Sequence, residues 1–126
     1  MTDEIKILCD TIRETSYAIH EYHGHGHLEK VYENALKNRL SRMDLNVIQQ
    51  HPLEVFDEDG TVLGEYFTDL FVEKKLIVEI KAVRALASEH EAQLIGYLKS
   101  SRVEHGLLIN FGSFEFQIKK FVLSQP

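Results

Sequence analysis

Two short apolar segments with a charged turn between them constrain the fold of this chain most. The segments are YFTDLFV at 66–72 and LIVEI at 76–80, and EKK at 73–75 separates them. Side chains of a strand point alternately to its two faces, and both faces of these segments are mainly apolar. Strands of this kind lie in the middle of a sheet that is covered on both sides. The pattern therefore predicts a β-hairpin at the centre of a layered α/β fold.

The same hairpin carries charged residues within its apolar pattern. Strand alternation predicts four residues on one face of the first strand: Glu65, Phe67, Asp69 and Phe71. With the turn centred on Lys74, cross-strand pairing places Asp69 opposite Glu79. The same register places Phe67 opposite Lys81, on the face that Lys81 shares with Glu79. Directly opposed residues have Cβ atoms about 4.5–5.5 Å apart, so two carboxylates and an ammonium group are predicted to meet.

Two neighbouring carboxylates in an apolar hairpin repel each other unless positive charge lies between them. Lys81 supplies one positive charge, and a divalent cation could supply more. Mg²⁺ binds one or two carboxylates and completes its shell with water and phosphate oxygens. Such a cation activates water and neutralises charge on a scissile phosphate. A structural cluster of ion pairs explains the same residues, and the spacing alone leaves both interpretations open.

Helical periodicity divides the N-terminal part of the sequence into two helices. Apolar residues at helical spacing predict an amphipathic first helix: Ile5, Leu8, Cys9, Ile12 and Ile19. Gly24 and Gly26 end it, and a second helix over about 28–43 follows. The buried stripe of the second helix is predicted to be Tyr32, Leu36 and Leu40.

Strand patterns dominate the rest of the chain and enclose one further helix. DEDG at 57–60 predicts a hairpin turn before the central hairpin. A third helix is predicted to begin at Ser88, which forms a capping box with Glu91. GLLINFG at 106–112 and FQIKKFVL at 116–123 predict two final strands. The order α-α-β-β-β-α-β-β predicts an α/β fold, in which helices flank a mixed central sheet in two or three layers.

Size and composition limit the class of protein. With 126 residues the chain suits a single domain over 1–126. No apolar run reaches about 20 residues, so no membrane segment is predicted, and the N-terminus has no signal-peptide pattern. The one cysteine, Cys9, cannot form a disulfide within the chain and favours a reducing, cytoplasmic location. The net charge of −6 does not indicate a nucleic-acid binder, although it can hide a local basic patch.

The charged hairpin and three other blocks resemble a known family. Asp69 followed by Glu79-x-Lys81 resembles the D…(D/E)-x-K core of the PD-(D/E)XK nuclease superfamily, and the element order resembles its αβββαβ core. GHLEKVY at 26–32 resembles the G-x-x-E-x-x-Y signature of the bacterial GxxExxY proteins, a family of that superfamily. HEAQLIGYLK and HGLLINFG resemble further blocks of the same family. The resemblance implies a restriction-endonuclease-like fold and hydrolysis of nucleic-acid phosphodiester bonds, with DNA favoured.

The resemblance implies a metal site on the central hairpin. Asp69, Glu79 and the backbone carbonyl of Ile80 would hold Mg²⁺ or Mn²⁺. Lys81 would position the attacking water or bind the phosphate. These roles agree with the hard oxygen ligands that such ions prefer.

Two residues of the third helix resemble the last motif of RecB-like exonucleases. Gln93 and Tyr97 match its Q-x-x-x-Y pattern. Together with His90 they fall within roughly 60° of arc on one helix face, which suits a shared role. A polar edge of the helix, with Tyr97 packed in the core, is the alternative.

Glu29 belongs to the same helical stripe as Tyr32 and Leu36, so it is predicted to face the core. An inward-facing glutamate needs a partner. In the resembling nucleases, a glutamate on this helix approaches the metal or its water. The alternative is a charge in the first helical turn that the helix dipole favours.

Three histidines alternate with glycines in HGHGH at 23–27. Zinc needs three or four ligands, and the only cysteine lies in the first helix. The glycines suit a tight turn between two helices, so we interpret the segment mainly as that turn. His27 lies near Glu29 in sequence and could make the site pH-sensitive.

Three functions of different classes remain open from the sequence. The first is a nuclease dependent on Mg²⁺ or Mn²⁺. The second is a binding module for nucleic acid or protein that keeps the nuclease fold without turnover. The third is a metal sensor that uses His23 and His25. Because few loops remain to hold a duplex, a homodimer or a protein partner is an expected addition in the first two cases.

Overall fold

The helices and strands follow one another in the predicted order α-α-β-β-β-α-β-β. A computed structural model describes residues 3–123, so both ends of the predicted 1–126 domain lie outside the described residues. The elements are α1 (Asp3–His23), α2 (Glu29–Ser41), β1 (Val47–Phe56), β2 (Val62–Val72), β3 (Leu76–Lys81), α3 (Ser88–Ser101), β4 (His105–Asn110) and β5 (Gln117–Val122).

The strands form one five-stranded sheet in the order β1-β2-β3-β4-β5. β3 and β4 are parallel, and the other neighbouring pairs are antiparallel. α3 connects the parallel pair, because parallel neighbours need a crossover connection. The predicted α/β class, with a mixed central sheet flanked by helices, is confirmed. Within residues 3–123, no helix is both long and apolar enough to span a bilayer.

The β2–β3 hairpin is buried on both faces, as predicted. One set of its residues packs with α1 and α2: Leu70, Val72, Leu76, Val78 and Ile80. The residues between them, Phe71 and Ile77, pack with Leu94 and Leu98 of α3. Neighbouring residues thus alternate between two cores, which explains why both faces of the hairpin are apolar.

The chain that leaves β3 is anchored against the end of β4. The fully buried Asn110 side chain accepts a hydrogen bond from the Val83 amide and donates one to the Val83 carbonyl, both at 3.0 Å. Gly112 lies so close to this segment that a Cβ there would be 2.3 Å from the backbone carbon of Ala82. These contacts fix the end of β3, where Lys81 lies.

Gly112→Ala is expected to lower the free energy of unfolding by about 3 kcal/mol, because the added methyl group overlaps backbone that cannot move without displacing β3. The matched control is Gly96→Ala on α3, where a Cβ meets nothing within 4 Å. That change is expected to stabilise the helix by roughly 0.5–1 kcal/mol. Urea denaturation of both variants measures the difference, and equal stabilities would contradict the close approach.

The helix boundaries differ slightly from those predicted. α2 ends at Ser41, two residues before the predicted end. The predicted capping box of Ser88 and Glu91 is wrong, because Ser88 is already the first helical residue. The cap position belongs to Ala87, and its amide donates a hydrogen bond of 3.0 Å to His90 Nδ1.

Candidate active site

The two hairpin strands separate where the charged residues lie. β2 and β3 pair as Val72↔Leu76, Phe71↔Ile77 and Leu70↔Val78, which is the predicted register. Beyond these pairs, side chains bridge the strands. Asp69 Oδ2 accepts a hydrogen bond of 2.8 Å from the Ile80 amide. Glu79 Oε1 accepts one of 3.4 Å from the Asp69 amide. The two carboxylates therefore meet at the point where the strands diverge.

The predicted pairing of Phe67 with Lys81 is wrong. Phe67 pairs with Pro52 of β1 and is 52% exposed. In the N-terminal half of β2, side chains also depart from the regular alternation between the two faces of the sheet. Phe71 packs on the α3 side of the sheet, and Tyr66, an odd number of residues away, should face the opposite side. Tyr66 instead stacks on Tyr97 of α3, with ring centroids 3.5 Å apart.

The interruption of side-chain alternation in β2 lies next to an irregular residue on the neighbouring strand β1. The β1–β2 pairs are interrupted at Gln50, between Gln49↔Leu70 and His51↔Thr68. Gln50 has φ of 49°, which is uncommon for a residue other than glycine. Its side chain donates a hydrogen bond of 3.3 Å to Asp69 Oδ1. The distorted backbone thus directs Gln50 at the carboxylate of Asp69.

Glu79 is held by one of its two oxygen atoms. Oε1 accepts hydrogen bonds from the Tyr66 hydroxyl, from Thr68 Oγ1 at 3.0 Å and from the Asp69 amide. Among residues 3–123, Oε2 has no hydrogen-bond partner, and it is not one of the fully buried unpartnered atoms. The carboxylate is therefore fixed through one oxygen and open to a ligand through the other.

The electrostatics of this pair favour an added positive charge. Burial, and next the charge of Asp69, raise the pKa of Glu79 to about 7, although the hydroxyls of Tyr66 and Thr68 oppose the shift. Burial also raises the pKa of Tyr66, helped by Glu79 and Asp69, so its hydroxyl stays a donor. An anionic Glu79 is thus costly here unless a cation approaches it.

Glu29 begins α2 beside the end of β3. It is exposed, so the predicted core-facing orientation is wrong. The helical stripe that includes Tyr32 becomes buried only after the first turn. Partial removal of its carboxylate from water and the charge of Asp69 nevertheless raise the pKa of Glu29, while the charge of Lys81 lowers it. The Glu29 carboxylate therefore lies within electrostatic range of both site residues.

Lys81 is half-buried at the end of β3. In the described part of the chain its ammonium group forms no salt bridge. Its charge acts on Glu29 without close pairing. An unpaired ammonium group two residues after Glu79 on the same strand can bind a phosphate oxygen or orient a water molecule.

A buried glutamate that the sequence analysis missed connects α2 with the site. Glu33 is 3% exposed and accepts hydrogen bonds from Lys30, Gln49 and Gln50, at 2.9, 2.9 and 3.2 Å. The Gln50 side chain therefore links Glu33 to Asp69. Glu33 lies one helical turn after Glu29. This spacing was the only feature of the sequence that pointed to a role for Glu33 near the site.

The predicted line of residues on α3 separates into three environments. Tyr97 contacts the site through Tyr66 and not directly. His90 accepts the Ala87 amide at the start of the helix. Gln93 is exposed, and no partner for its side chain lies among residues 3–123. The structure thus brings only Tyr97 towards Glu79.

The HGHGH segment forms the predicted turn between α1 and α2. Gly24 has φ of 74°, which glycine adopts readily. Tyr32 is fully buried, and its hydroxyl donates to the Gly24 carbonyl at 2.6 Å and accepts from the His27 amide at 3.0 Å. Tyr32 also stacks on Phe111 at 4.7 Å. The tyrosine of GxxExxY therefore closes the turn that leads to Glu29.

The oxygen atoms at the strand divergence suit a hard divalent cation. Lys81 O accepts from the Phe111 amide on the β4 side. Successive strand residues turn their backbone groups to opposite neighbours, so the carbonyl of Ile80 is directed towards β2, where Asp69 lies. This carbonyl, Asp69 and Glu79 Oε2 form an all-oxygen donor set.

Within residues 3–123, no three His, Cys, Asp or Glu side chains gather into a set that could hold a metal ion. Glu29 is thus not gathered with Asp69 and Glu79 into a three-carboxylate centre. His23, His25 and His27 also form no such set, so the histidine metal sensor has no support. Two carboxylates suffice for Mg²⁺ when water and phosphate oxygens complete its shell.

Comparison with known proteins agrees with the fold described above. A family model described as the PD-(D/E)XK nuclease superfamily matches residues 6–121. The crystal structure of SSO0001 has a TM-score of 0.61 and 18% identity, and the match covers 77% of this chain and 50% of that chain. This chain thus spans about half the length of SSO0001, and the likeness concerns the fold. No curated protein matches this chain. The predicted restriction-endonuclease-like fold is confirmed.

Proposed function

We propose that this chain, which belongs to the PD-(D/E)XK nuclease superfamily, hydrolyses phosphodiester bonds of a nucleic acid with the help of Mg²⁺ or Mn²⁺. Superfamily membership implies a nucleic-acid substrate and the general use of divalent metals. The observation that carries the proposal is the meeting of Asp69 and Glu79 where β2 leaves β3, with Lys81 two residues after Glu79 on the same strand.

The metal ligands would be Asp69, Glu79 and the carbonyl of Ile80. When bound there, a divalent cation lowers the pKa of its water and neutralises charge on the scissile phosphate. Asp69 is oriented for this role by Gln50 and the Ile80 amide. Both hydrogen bonds reach the carboxylate within the sheet, so its position is fixed before any ligand arrives.

Tyr66 is proposed as a positioning residue for Glu79. Its hydroxyl and that of Thr68 hold Oε1, which leaves Oε2 for the cation. Tyr97 stacks on the Tyr66 ring and limits its movement. The tyrosine of the Q-x-x-x-Y motif would therefore act through a second tyrosine, and not by contact with a phosphate.

Lys81 would orient the attacking water or bind the phosphate that is cleaved. Glu29 lies near enough for its charge to interact with this ammonium group. We also propose that the chain is a GxxExxY protein, since Tyr32 of that signature closes the turn before α2 and Glu29 lies within electrostatic range of Asp69 and Lys81. DNA is the proposed substrate, in keeping with the resemblance.

Lys81→Met is expected to lower the cleavage rate by about 10²–10³-fold, because one preorganised donor to the transition state is lost. Metal affinity should change little, since the ammonium group is not a ligand. Lys99→Met, an exposed lysine on α3, is the matched control. Cleavage by purified Lys81→Met at the rate of the control would overturn the role assigned to Lys81.

The proposed activity is tested with labelled single-stranded and double-stranded DNA and RNA, incubated with Mg²⁺, Mn²⁺ or EDTA. We expect cleavage that needs the metal and stops in EDTA. Metal-independent binding of the same substrates, with no cleavage by either metal, would instead support the non-catalytic binding module. Equal cleavage in EDTA would contradict metal-dependent chemistry.

A further inference from the structure

Exposed aromatic rings surround the turn before α2 and the loop between β4 and β5. Phe114 is 82% exposed and Tyr22 is 78% exposed. The exposed His25 ring lies edge-on to Phe114, with centroids 6.0 Å apart. We call Tyr22, His25 and Phe114 the aromatic rim. Single exposed apolar side chains are common, but exposed rings that lie against each other, as those of His25 and Phe114 do, mark a candidate binding surface.

Phe114 is exposed on a rigid loop. The preceding residue, Ser113, is buried; its hydroxyl donates to the Glu115 carbonyl at 2.5 Å, and its own carbonyl is hydrogen-bonded by His20 Nε2 at 2.9 Å. Asn110 donates to Ser113 Oγ at 3.3 Å. The backbone on both sides of Phe114 is therefore held, which fixes the position of its Cα and Cβ atoms. A side chain on a fixed backbone loses less conformational freedom on binding a ligand than one on a mobile loop.

The rim lies close to the candidate active site. Gly112 touches the backbone of Ala82, next to Lys81. Since consecutive Cα atoms are about 3.8 Å apart, the Cα of Phe114 lies within about 17 Å of that of Lys81. About five stacked nucleotides span this distance, at about 3.4 Å each. On the other side, His25 belongs to the turn that leads to Glu29.

We propose that the aromatic rim stacks the bases of an unpaired nucleic-acid strand, so that the substrate of this site is single-stranded or frayed. This inference rests on the proposed nuclease function. Aromatic side chains bind single strands because every base has a π-face, whereas the bases of a duplex are already stacked. The exposed Glu21 and Glu115 adjoin the rim in sequence, so positive charge for the strand's phosphates comes from the unpaired ammonium group of Lys81.

The test is binding of a fluorescein-labelled 12-nucleotide single strand, and of the matching duplex, measured by anisotropy in EDTA. We expect the wild type to prefer the single strand. Phe114→Ala and His25→Ala should each weaken single-strand binding by about 5- to 100-fold, the loss expected for one stacked base. Ile7→Ala, which shortens an exposed apolar side chain on α1, is the control and should have no effect.

Three results would overturn the rim proposal. One is single-strand binding that Phe114→Ala and His25→Ala leave unchanged, and another is equal binding of single strand and duplex. The third is a change of oligomeric state measured by light scattering, in which the wild type is a dimer and Phe114→Ala is a monomer. That result would mean that a second copy of the chain covers the rim. Metal-dependent cleavage can persist in all three cases.

Conversely, the rim can bind single strands while the protein cleaves nothing in the presence of either Mg²⁺ or Mn²⁺. That result would refute the nuclease function and leave the rim proposal standing.

Discussion

Asp69→Asn is expected to lower the rate of metal-dependent cleavage by about 10³-fold or more, because the cation loses a charged ligand and the transition state loses its main stabilisation. The fold should survive. The asparagine amide oxygen can still accept the hydrogen bond that the Ile80 amide gives to Asp69 Oδ2. Removal of the negative charge also relieves the repulsion of Glu79. The asparagine NH2 group would then face Gln50 Nε2, so the hydrogen bond from Gln50 is lost. The two effects oppose each other, and we expect little net change in stability together with lost activity.

The control for Asp69→Asn is Glu65→Gln, which removes an exposed charge from the same strand, four residues away. Initial rates of cleavage at saturating Mn²⁺ measure the effect, and urea denaturation measures the stability. Cleavage by Asp69→Asn at the rate of Glu65→Gln would show that the hairpin carboxylates do not hold the metal.

Glu79→Gln is expected to be more stable than the wild type at pH 8, and the advantage should shrink as the pH falls. The pKa of Glu79 rises from 4.5 to about 7 on folding, chiefly through burial and next through Asp69. An acid with a raised folded-state pKa contributes stability below its unfolded value and loses it as the pH rises through the folded value. Between about pH 4.5 and 8, the contribution of Glu79 to the free energy of unfolding of the wild type should therefore fall by up to about 3 kcal/mol.

Glutamine keeps a carbonyl oxygen for the hydroxyl donors of Tyr66 and Thr68 but has no proton to lose. The difference in unfolding free energy between Glu79→Gln and the wild type should therefore grow from about pH 4.5 to 8. Urea denaturation across this pH range measures these unfolding free energies. Glu65→Gln is the reference, and its difference in unfolding free energy from the wild type should stay nearly constant with pH. If the stability difference between Glu79→Gln and the wild type does not change with pH, the raised pKa of Glu79 in the folded protein is contradicted.

The register of the central hairpin was predictable because it depends on local information. A short turn centred on Lys74 and period-two alternation determine which residues face each other up to Leu70 and Val78. Placing Asp69 next to Glu79 needed only one further step along the same strands. The double burial of the hairpin followed from the same local pattern, since apolar residues occupy both faces.

The surroundings of the carboxylates were not predictable from the same patterns. Tyr66 reaches Glu79 only because β1 and β2 change face at Gln50, which has a positive φ that nothing in the sequence indicates. The contact of Gln50 with Glu33 joins residues 17 positions apart. Helical periodicity also cannot show that Glu29, in the first turn, precedes the part of α2 that becomes buried.

The most direct test of the account is a calorimetric titration of Mg²⁺ and Mn²⁺ into the wild type and into Asp69→Asn, at pH 7 and in buffers of different ionisation enthalpy. We expect binding by the wild type with partial proton release, because Glu79 has a pKa of about 7 and must ionise to bind the cation. Asp69→Asn should show no binding. Equal binding by both proteins, or no binding by the wild type even with a phosphorothioate oligonucleotide present, would contradict a metal site on the Asp69–Glu79 hairpin.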